Sequence, residues 1–342
     1  MYERIIISTG VTALTVLLLT PKLINKFKLI GLIGIDQAKK GKPIVAESGG
    51  TAVAAGFFAG IMTYLAITTF AMPTQINITI LLAALVTVQT IALIGFFDDI
   101  ITKKTLTKDI HGDKNYRIGL RQKTKALLVL PAAIPLMVIN AGHSTMAIPF
   151  IGIINFGIIY PLILIPIGVL CVANAVNMLA GLNGLETGMT TIALTSMGIY
   201  AYLNNAIEAS IIAFIGATAF LSFLYYNKYP AKVFPGDTGT YLAGALIATV
   251  TITGNMEKFA IIIFTPWIIE AFIKLKTKFK GTSFGKLTKQ GHLKPKNNKT
   301  ESLTHVIMNS GDYTEKQVVW IFWLIEAAIA TTALILWNTG II

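Results

Sequence analysis

The sequence predicts an all-α integral membrane protein: a polytopic bundle of about ten transmembrane helices, both termini extracytoplasmic, with its chemically capable residues at the cytoplasmic face. Three observations predict it. Of 342 residues, 54% are hydrophobic and only 13% charged, with a mean hydropathy of +0.69; a soluble domain could not hydrate such a surface. Apolar stretches of about 17 to 25 residues, the length that crosses roughly 30 Å of hydrocarbon, recur along the whole chain. Lys and Arg are confined to alternate loops.

The expected spans lie near residues 3–24, 50–71, 76–97, 125–140, 159–176, 188–203, 207–226, 239–254, 258–274 and 317–338. They must be helical, because lipid offers an unpaired backbone N–H or C=O no partner and the alternation of a barrel strand is absent. The first, from Arg4 to Ile24, is followed by no small-residue cleavage site and reads as a retained span. The segments 22–42, 103–125, 228–232 and 274–316 carry 26 of the 28 basic residues; Arg4 and Lys258 alone fall on the other side. The positive-inside rule then places those segments in the cytoplasm, and it explains the net charge of +12 without a nucleic acid partner. Ala141 to Gly157 reads as a small outer hairpin or a re-entrant piece. The whole chain, 1–342, is expected to be one transmembrane domain, with 275–316 as its long cytoplasmic loop.

Cys171 is alone in an apolar segment, so neither a disulfide nor a cysteine metal site is available, and it reads as a small buried hydrophobe. Four cytoplasmic segments hold more chemistry than a connector needs. Asp98 and Asp99 close the third span as adjacent carboxylates, at the unfavourable pole of the helix dipole, which calls for a cation nearby. A solvated helix end is the bland alternative. Gly119 to Lys125 brings a basic cluster to the same boundary, although each lysine there also serves topology. Asn174 and Asn177, three apart on one helix face, lead into Gly181, Asn183 and Gly184. Amide oxygens suit a hard cation such as Mg²⁺, and the glycines permit positive φ and close approach to a ligand. Phe234-Pro235-Gly236-Asp237 puts a further acid in a tight turn before the eighth span.

In their order, Asp98-Asp99, Gly119-Leu-Arg-x-x-x-Lys125, Asn174-x-x-Asn177-x-x-Ala-Gly181-x-Asn183-Gly184-Leu and Phe234-x-Gly-Asp237-Thr resemble the polyprenyl-phosphate N-acetylhexosamine-1-phosphate transferases over nearly the whole chain. The asparagine-rich segment is similar to the eukaryotic dolichyl-phosphate N-acetylglucosaminephosphotransferase branch. Pro43 to Gly50 resembles that branch's Pro-Glu-Ser segment. The sum suggests an archaeal-type homologue in the cell membrane, its active site facing the cytoplasm.

The resemblance implies transfer of GlcNAc-1-phosphate from UDP-GlcNAc to a polyprenyl (dolichyl) phosphate with release of UMP, as a first step of lipid-linked oligosaccharide assembly for protein N-glycosylation. It implies Mg²⁺, with Mn²⁺ as a substitute, held by Asn177 and Asp237, and Lys125 neutralising phosphate charge. Asn174 joins the substrate-binding set, Phe234 and Asn183 fall where the family contacts uracil, Gly181 allows close approach, and Glu47 lies near the ribose. Asp98 and Asp99 are left with three roles open: orienting the metal and Lys125, taking a proton, or acting as nucleophile. His292 and Lys294 stand where the family clamps the pyrophosphate, but Leu293 occupies an arginine column, a departure that weakens the expected clamp. His111, His143, Glu208, Glu270 and Glu326 receive no role beyond capping or interfacial placement. A homodimer is compatible with the family. Two rivals are an undecaprenyl-phosphate-dependent hexosamine-1-phosphate transferase and a membrane transporter; the latter requires ionisable residues near the midplane.

Overall fold

The computed structural model describes residues 2–101, 103–105, 116–118, 122–148, 152–296 and 299–339. Helices dominate. They are α1 (Tyr2–Leu29), α2 (Gly50–Ala66, prolonged by a π-helical turn Ile67–Ala71), α3 (Ile78–Ile101), α4 (Gln122–Ala132) and α5 (Ile134–Val138). After a π-helical turn at Tyr160–Leu164 come α6 (Ile165–Met178), α7 (Leu185–Leu203), α8 (Ile207–Asn227), α9 (Gly236–Thr253), α10 (Glu257–Ile263), α11 (Thr265–Lys276), α12 (Leu303–Ser310) and α13 (Glu315–Asn338). Among the described residues six segments, 2–29, 50–71, 78–101, 160–178, 207–227 and 315–338, are long and apolar enough by themselves to cross a membrane. Each of the ten expected spans falls on one of the helices or on two consecutive pieces, as α4–α5 and α10–α11 do. Pro131 and Pro135 lie about the α4–α5 break and Pro266 opens α11, where a missing N–H does least damage.

Large apolar side chains remain exposed along these helices, among them Leu18, Val86, Leu93, Leu162, Phe272 and Leu324, the outer coat expected of a protein whose solvent is lipid. Cys171 departs from expectation: it is exposed, on the outside of α6. Glu326 departs too, being fully buried about halfway along α13 instead of near an end.

The bundle is organised around α9, fifteen of whose eighteen residues are buried and which packs against α2, α3, α6, α7 and α8. Small residues make that density possible. A Cβ on Gly244 would lie 2.4 Å from Ala173 Cα of α6, and one on Gly50 would lie 2.2 Å from the Gly239 amide nitrogen. Without a hydrophobic drive between helices in lipid, such close backbone approach is what holds them.

Among the described residues four two-stranded antiparallel sheets decorate the ends: β1 (Ile33–Ile35) with β2 (Ile44–Ala46), β3 (Lys103–Thr105) with β4 (Tyr116–Ile118), β5 (Thr145–Ile148) with β6 (Gly152–Asn155), and β7 (Gly285–Leu287) with β8 (Leu293–Pro295). The antiparallel β5–β6 pair favours the hairpin over the re-entrant reading of 141–157. The other three lie in or next to the basic segments and were not expected; with three residues per strand, their alternation is too short to read against the apolar background.

Candidate active site at the ends of α3, α6 and α9

The candidate residues converge where α3 and α6 end and α2 and α9 begin. Asp99 is buried and its carboxylate accepts four hydrogen bonds: from the Asp237 amide (2.8 Å), the Thr238 amide (3.1 Å), the Thr238 hydroxyl (2.7 Å) and the Ser48 hydroxyl (2.8 Å). The first turn of α9 has no capping side chain of its own, since Pro235 precedes it. Asp99 therefore supplies from α3 the acceptor that a local N-cap would give, and its charge meets the positive end of the α9 dipole. The cation that the Asp pair called for is, for Asp99, a helix terminus.

Neighbouring backbone groups complete this corner. The Gly49 and Gly50 amides donate to the carbonyls of Phe234 (2.8 Å) and Pro235 (2.9 Å), and the Phe234 amide donates to Ala46 (2.8 Å). Gly236 has φ +68°, and a Cβ there would come 2.4 Å from Asp99 Oδ2. On α3, Gly95 admits the backbone of Asp237 and Thr238 to within 2.7 Å of where its Cβ would be. Glu47, half-buried beside this corner, adds a second carboxylate field to that of Asp99. Phe234 is half-buried in the same strand-like segment.

Asn177 and the backbone of Asp237 meet at Thr240. The Thr240 hydroxyl lies 2.9 Å from Asn177 Oδ1 and 3.3 Å from the Asp237 carbonyl, and the Tyr241 hydroxyl donates to Asn174 Oδ1 at 3.0 Å. Asn174 in turn donates to the Leu170 carbonyl (2.8 Å) within α6. Tyr241 feels the charges of both Asp98 and Asp237, so those two buried acids flank one point at the α6–α9 contact. No group of three His, Cys, Asp or Glu side chains suited to a metal occurs among the described residues. The donors at this point are instead two carboxylates and an amide, all hard oxygens, and that set fits Mg²⁺ in chemistry while leaving positions for water and phosphate. Thr240 and Tyr241 were missed in the sequence, where they read as ordinary span residues.

Asn183 sits in a second cluster. Its Nδ2 donates to Asp36 Oδ2 (2.9 Å) and its amide to Glu315 Oε1 (2.8 Å). Lys39 bridges the two acids, 3.1 Å from Asp36 and in a short contact with Glu315, while lying 4.0 Å above the Tyr229 ring. Gly181 and Gly184 have φ of +118° and +85°, as the turn between α6 and α7 demands, and the Phe284 ring lies against Gly181. Asp36, Lys39, Glu315 and Phe284 were not anticipated; the one available signal was the scarcity of acids, which makes every buried one informative.

The 275–316 loop distributes its candidates differently. His292 is half-buried at the root of the β7–β8 turn, its backbone paired with Thr288. Lys294 donates to the carbonyls of Met308 in the last turn of α12 (3.3 Å) and of Gly311 just beyond it (3.0 Å) and pairs with Asp312 at 2.9 Å, contacts that brace the loop. Leu293, in the arginine column, is fully buried, and a Cβ on Gly285 would lie 3.3 Å from its own Cβ. A guanidinium at that place would be driven into the loop's small core, which accounts for the departure. The Lys125 backbone opens α4, which packs on α3 and α6, but its side chain lies outside the described residues, as do Arg121 and His111.

The fold and site together define a helical membrane protein that gathers buried oxygen donors where α3 and α6 end and α9 begins. Residues 78–255 match the family described as Glycosyl transferase family 4, and the chain belongs to that family. A Saccharolobus solfataricus protein bearing the provisional name UDP-N-acetylglucosamine–dolichyl-phosphate N-acetylglucosaminephosphotransferase is 38% identical over 93% of this chain and 92% of its own length. A Sulfolobus acidocaldarius protein with the same provisional name is 36% identical over 97% of this chain and 95% of its own. The Dictyostelium discoideum protein of that name is 29% identical over 78% and 71%.

Proposed function

We propose that this protein transfers GlcNAc-1-phosphate from UDP-GlcNAc to dolichyl phosphate, giving GlcNAc-diphosphodolichol and UMP, as a first step of lipid-linked oligosaccharide assembly for protein N-glycosylation. The observation that carries the reading is the meeting of Asn177, Asp237 and Asp98 about Thr240 and Tyr241, at helix ends that face a basic boundary. The full-length relatedness to proteins of that name supports the substrates. The recurring apolar stretches support ten spans, the distribution of Lys and Arg supports termini outside with the site on the cytoplasmic face, and the family resemblance supports a cell-membrane location.

In this reading Asn177 and Asp237 would hold a Mg²⁺ ion, for which Mn²⁺ would substitute, with Asp98 beside them. The ion would neutralise charge on the pyrophosphate. A phosphate oxygen of the lipid attacks the β-phosphorus, the bond to the bridging oxygen breaks, and UMP leaves with that electron pair. A phosphate monoester is largely ionised near pH 7, so no strong base is required; Asp98 acts by its field, and Asp99 by keeping α9, and with it Asp237, in register. Lys125 supplies positive charge from α4. Asn183, with Nδ2 committed to Asp36, presents Oδ1 to a base N–H. Gly181 and Phe234 would flank the base, Glu47 the ribose, and His292 the phosphates. An apolar groove of about 270 Å³ between α6, α9 and α10–α11, lined by Leu164, Val172, Ile247, Phe264 and Ile268, offers the lipid chain a seat. Positioning and charge stabilisation then account for the step.

The test is UMP release by purified protein given UDP-GlcNAc, Mg²⁺ and dolichyl phosphate, with undecaprenyl phosphate as a parallel acceptor. Turnover with dolichyl phosphate is expected. Turnover with undecaprenyl phosphate alone would move the protein to the rival transferase class, and no lipid-linked GlcNAc phosphate with either acceptor would overturn the reading.

A further inference from the structure

Glu270, given no role by its sequence position, is the most heavily used acid in the loop region. It is fully buried midway along α11. Its Oε2 accepts from the Ser302 hydroxyl (3.0 Å) and the Leu303 amide (2.6 Å), so it caps α12 together with Ser302, whose side chain accepts from Thr304. Its Oε1 lies 3.3 Å from Lys274 Nζ, which offsets its charge, and 3.3 Å from the Ser283 hydroxyl. A buried carboxylate survives only when so paired.

Ser283 joins this cluster to the site. Its one hydroxyl proton is shared between Glu270 and the Met178 carbonyl (2.9 Å), the last residue of α6. The segment is held from its other side by Thr304, whose hydroxyl donates to the Ser283 carbonyl (2.8 Å), and by His305, whose Nε2 is 3.1 Å from the Phe284 carbonyl. His305 Nδ1 accepts from the Glu301 amide, which leaves the proton on Nε2 to make that bond. The next residue, Phe284, is the one whose ring rests on Gly181, three residues past Met178 and two before Asn183.

We propose that Glu270 is a positioning residue for the nucleotide half of the reaction: by gathering Ser283, Ser302 and the Leu303 amide, it seats the root of the 275–316 loop on the end of α6 and fixes Phe284 over Gly181. The inference rests on the function proposed above. It assigns Phe284 to the wall of the base pocket and makes the loop's attitude, rather than a loop cation, what tunes donor binding. Because the acceptor lipid approaches from the bilayer, the latch acts on the donor alone.

Ser283→Ala cuts the tie to α6 while leaving the α12 cap and the Glu270–Lys274 pair; Glu270→Gln loosens the whole cluster. Both are measured in the full-length purified protein. The expected result is a rise of about tenfold in KM for UDP-GlcNAc, with kcat and KM for dolichyl phosphate within about twofold. Tryptic cleavage between Lys276 and Lys299 should accelerate, with Tm lowered by no more than a few degrees in Ser283→Ala. Phe284→Ala should reproduce the KM effect without faster cleavage. An unchanged KM in a loop that is cleaved faster would overturn the proposal, as would equal losses in both substrates' KM and in Tm, the mark of general destabilisation. Inactivity of the unmutated protein with any acceptor would refute the transferase reading instead, and in that event unchanged tryptic cleavage in Ser283→Ala would refute the latch itself.

Discussion

At the corner of α2, α3 and α9, backbone N–H groups of helix starts are gathered by one carboxylate and by carbonyls of the opposite segment. In the 275–316 loop the gathering is done by side chains, through Glu270 at its base and Lys294 at its tip. The first arrangement sits inside the bundle and cannot move without dragging a helix. The second holds a surface segment by a few contacts, the usual condition of parts that adjust around a ligand. Under the proposed function the work divides accordingly: what must be rigid, the oxygen cluster, hangs on the corner, and what must admit a nucleotide hangs on the loop.

The sharpest way to break this division is Asp237→Ala. With Asp99 still capping α9, the fold should persist while UMP release falls by about a thousandfold, as removal of a group that holds charge in the transition state does. Loss of activity with an unchanged Tm is the expected pair of results; unchanged activity would remove Asp237 from the chemistry. Asp98 and Asp99 should then separate. Asp99→Ala strands four donors in the interior and should cost about 3 kcal/mol or more, read as a lowered Tm. Asp98→Asn, nearly isosteric, should leave Tm within a few degrees and lower kcat by about a hundredfold. Equal Tm losses in both variants would erase the distinction between them.

A smaller effect tests the close approach at the corner. Gly236→Ala forces an L residue into φ +68° and drives its Cβ against Asp99 Oδ2, so a loss of about 1 to 2 kcal/mol in unfolding free energy is expected. Gly291→Ala, at φ +88° but with open space around it, should cost only the backbone share, about 1 kcal/mol.

These contrasts also show how far the sequence could be read. Helices were legible because lipid leaves the backbone no alternative, and Asn177 and Asp237 because polar residues are conspicuous at the ends of apolar runs. Asp99 was expected at the end of a span and lies in the last turn of α3, but its partners, the amides of Asp237 and Thr238, carry no letter in a sequence; a cap supplied from another helix is a tertiary event. Glu270 looked like an interfacial acid because its neighbours Ser283 and Ser302 are serines, the least diagnostic of residues, brought near only by folding. Asp36, Lys39 and Glu315 were hidden for a like reason, since two of them lie 279 residues apart in the chain. Lys294 shows the converse, a residue read as a phosphate ligand whose ammonium is already spent on two carbonyls and an acid.

The smallest effect belongs to that lysine. Lys294 holds the exposed Asp312 carboxyl below the usual carboxylate range by hydrogen bonding and charge. A carboxyl whose folded-state pKa is depressed contributes stability above its unfolded pKa and loses it as pH falls through the folded one. Asp312→Asn should therefore lower Tm slightly at neutral pH, and the two melting curves should converge on acidification through the carboxylate range; being exposed, the pair is screened by salt, and the difference should shrink in high salt too. Lys294→Met should leave KM for UDP-GlcNAc within about twofold if the ammonium is a strut, since a lost strut weakens the loop tip without touching phosphate. A rise of about tenfold in that KM would return Lys294 to the pyrophosphate, because removal of a charge from a bound anion costs on the order of a full factor of ten or more. The sign of this one comparison decides whether the loop meets the donor with charge at its tip or only with the aromatic ring at its root.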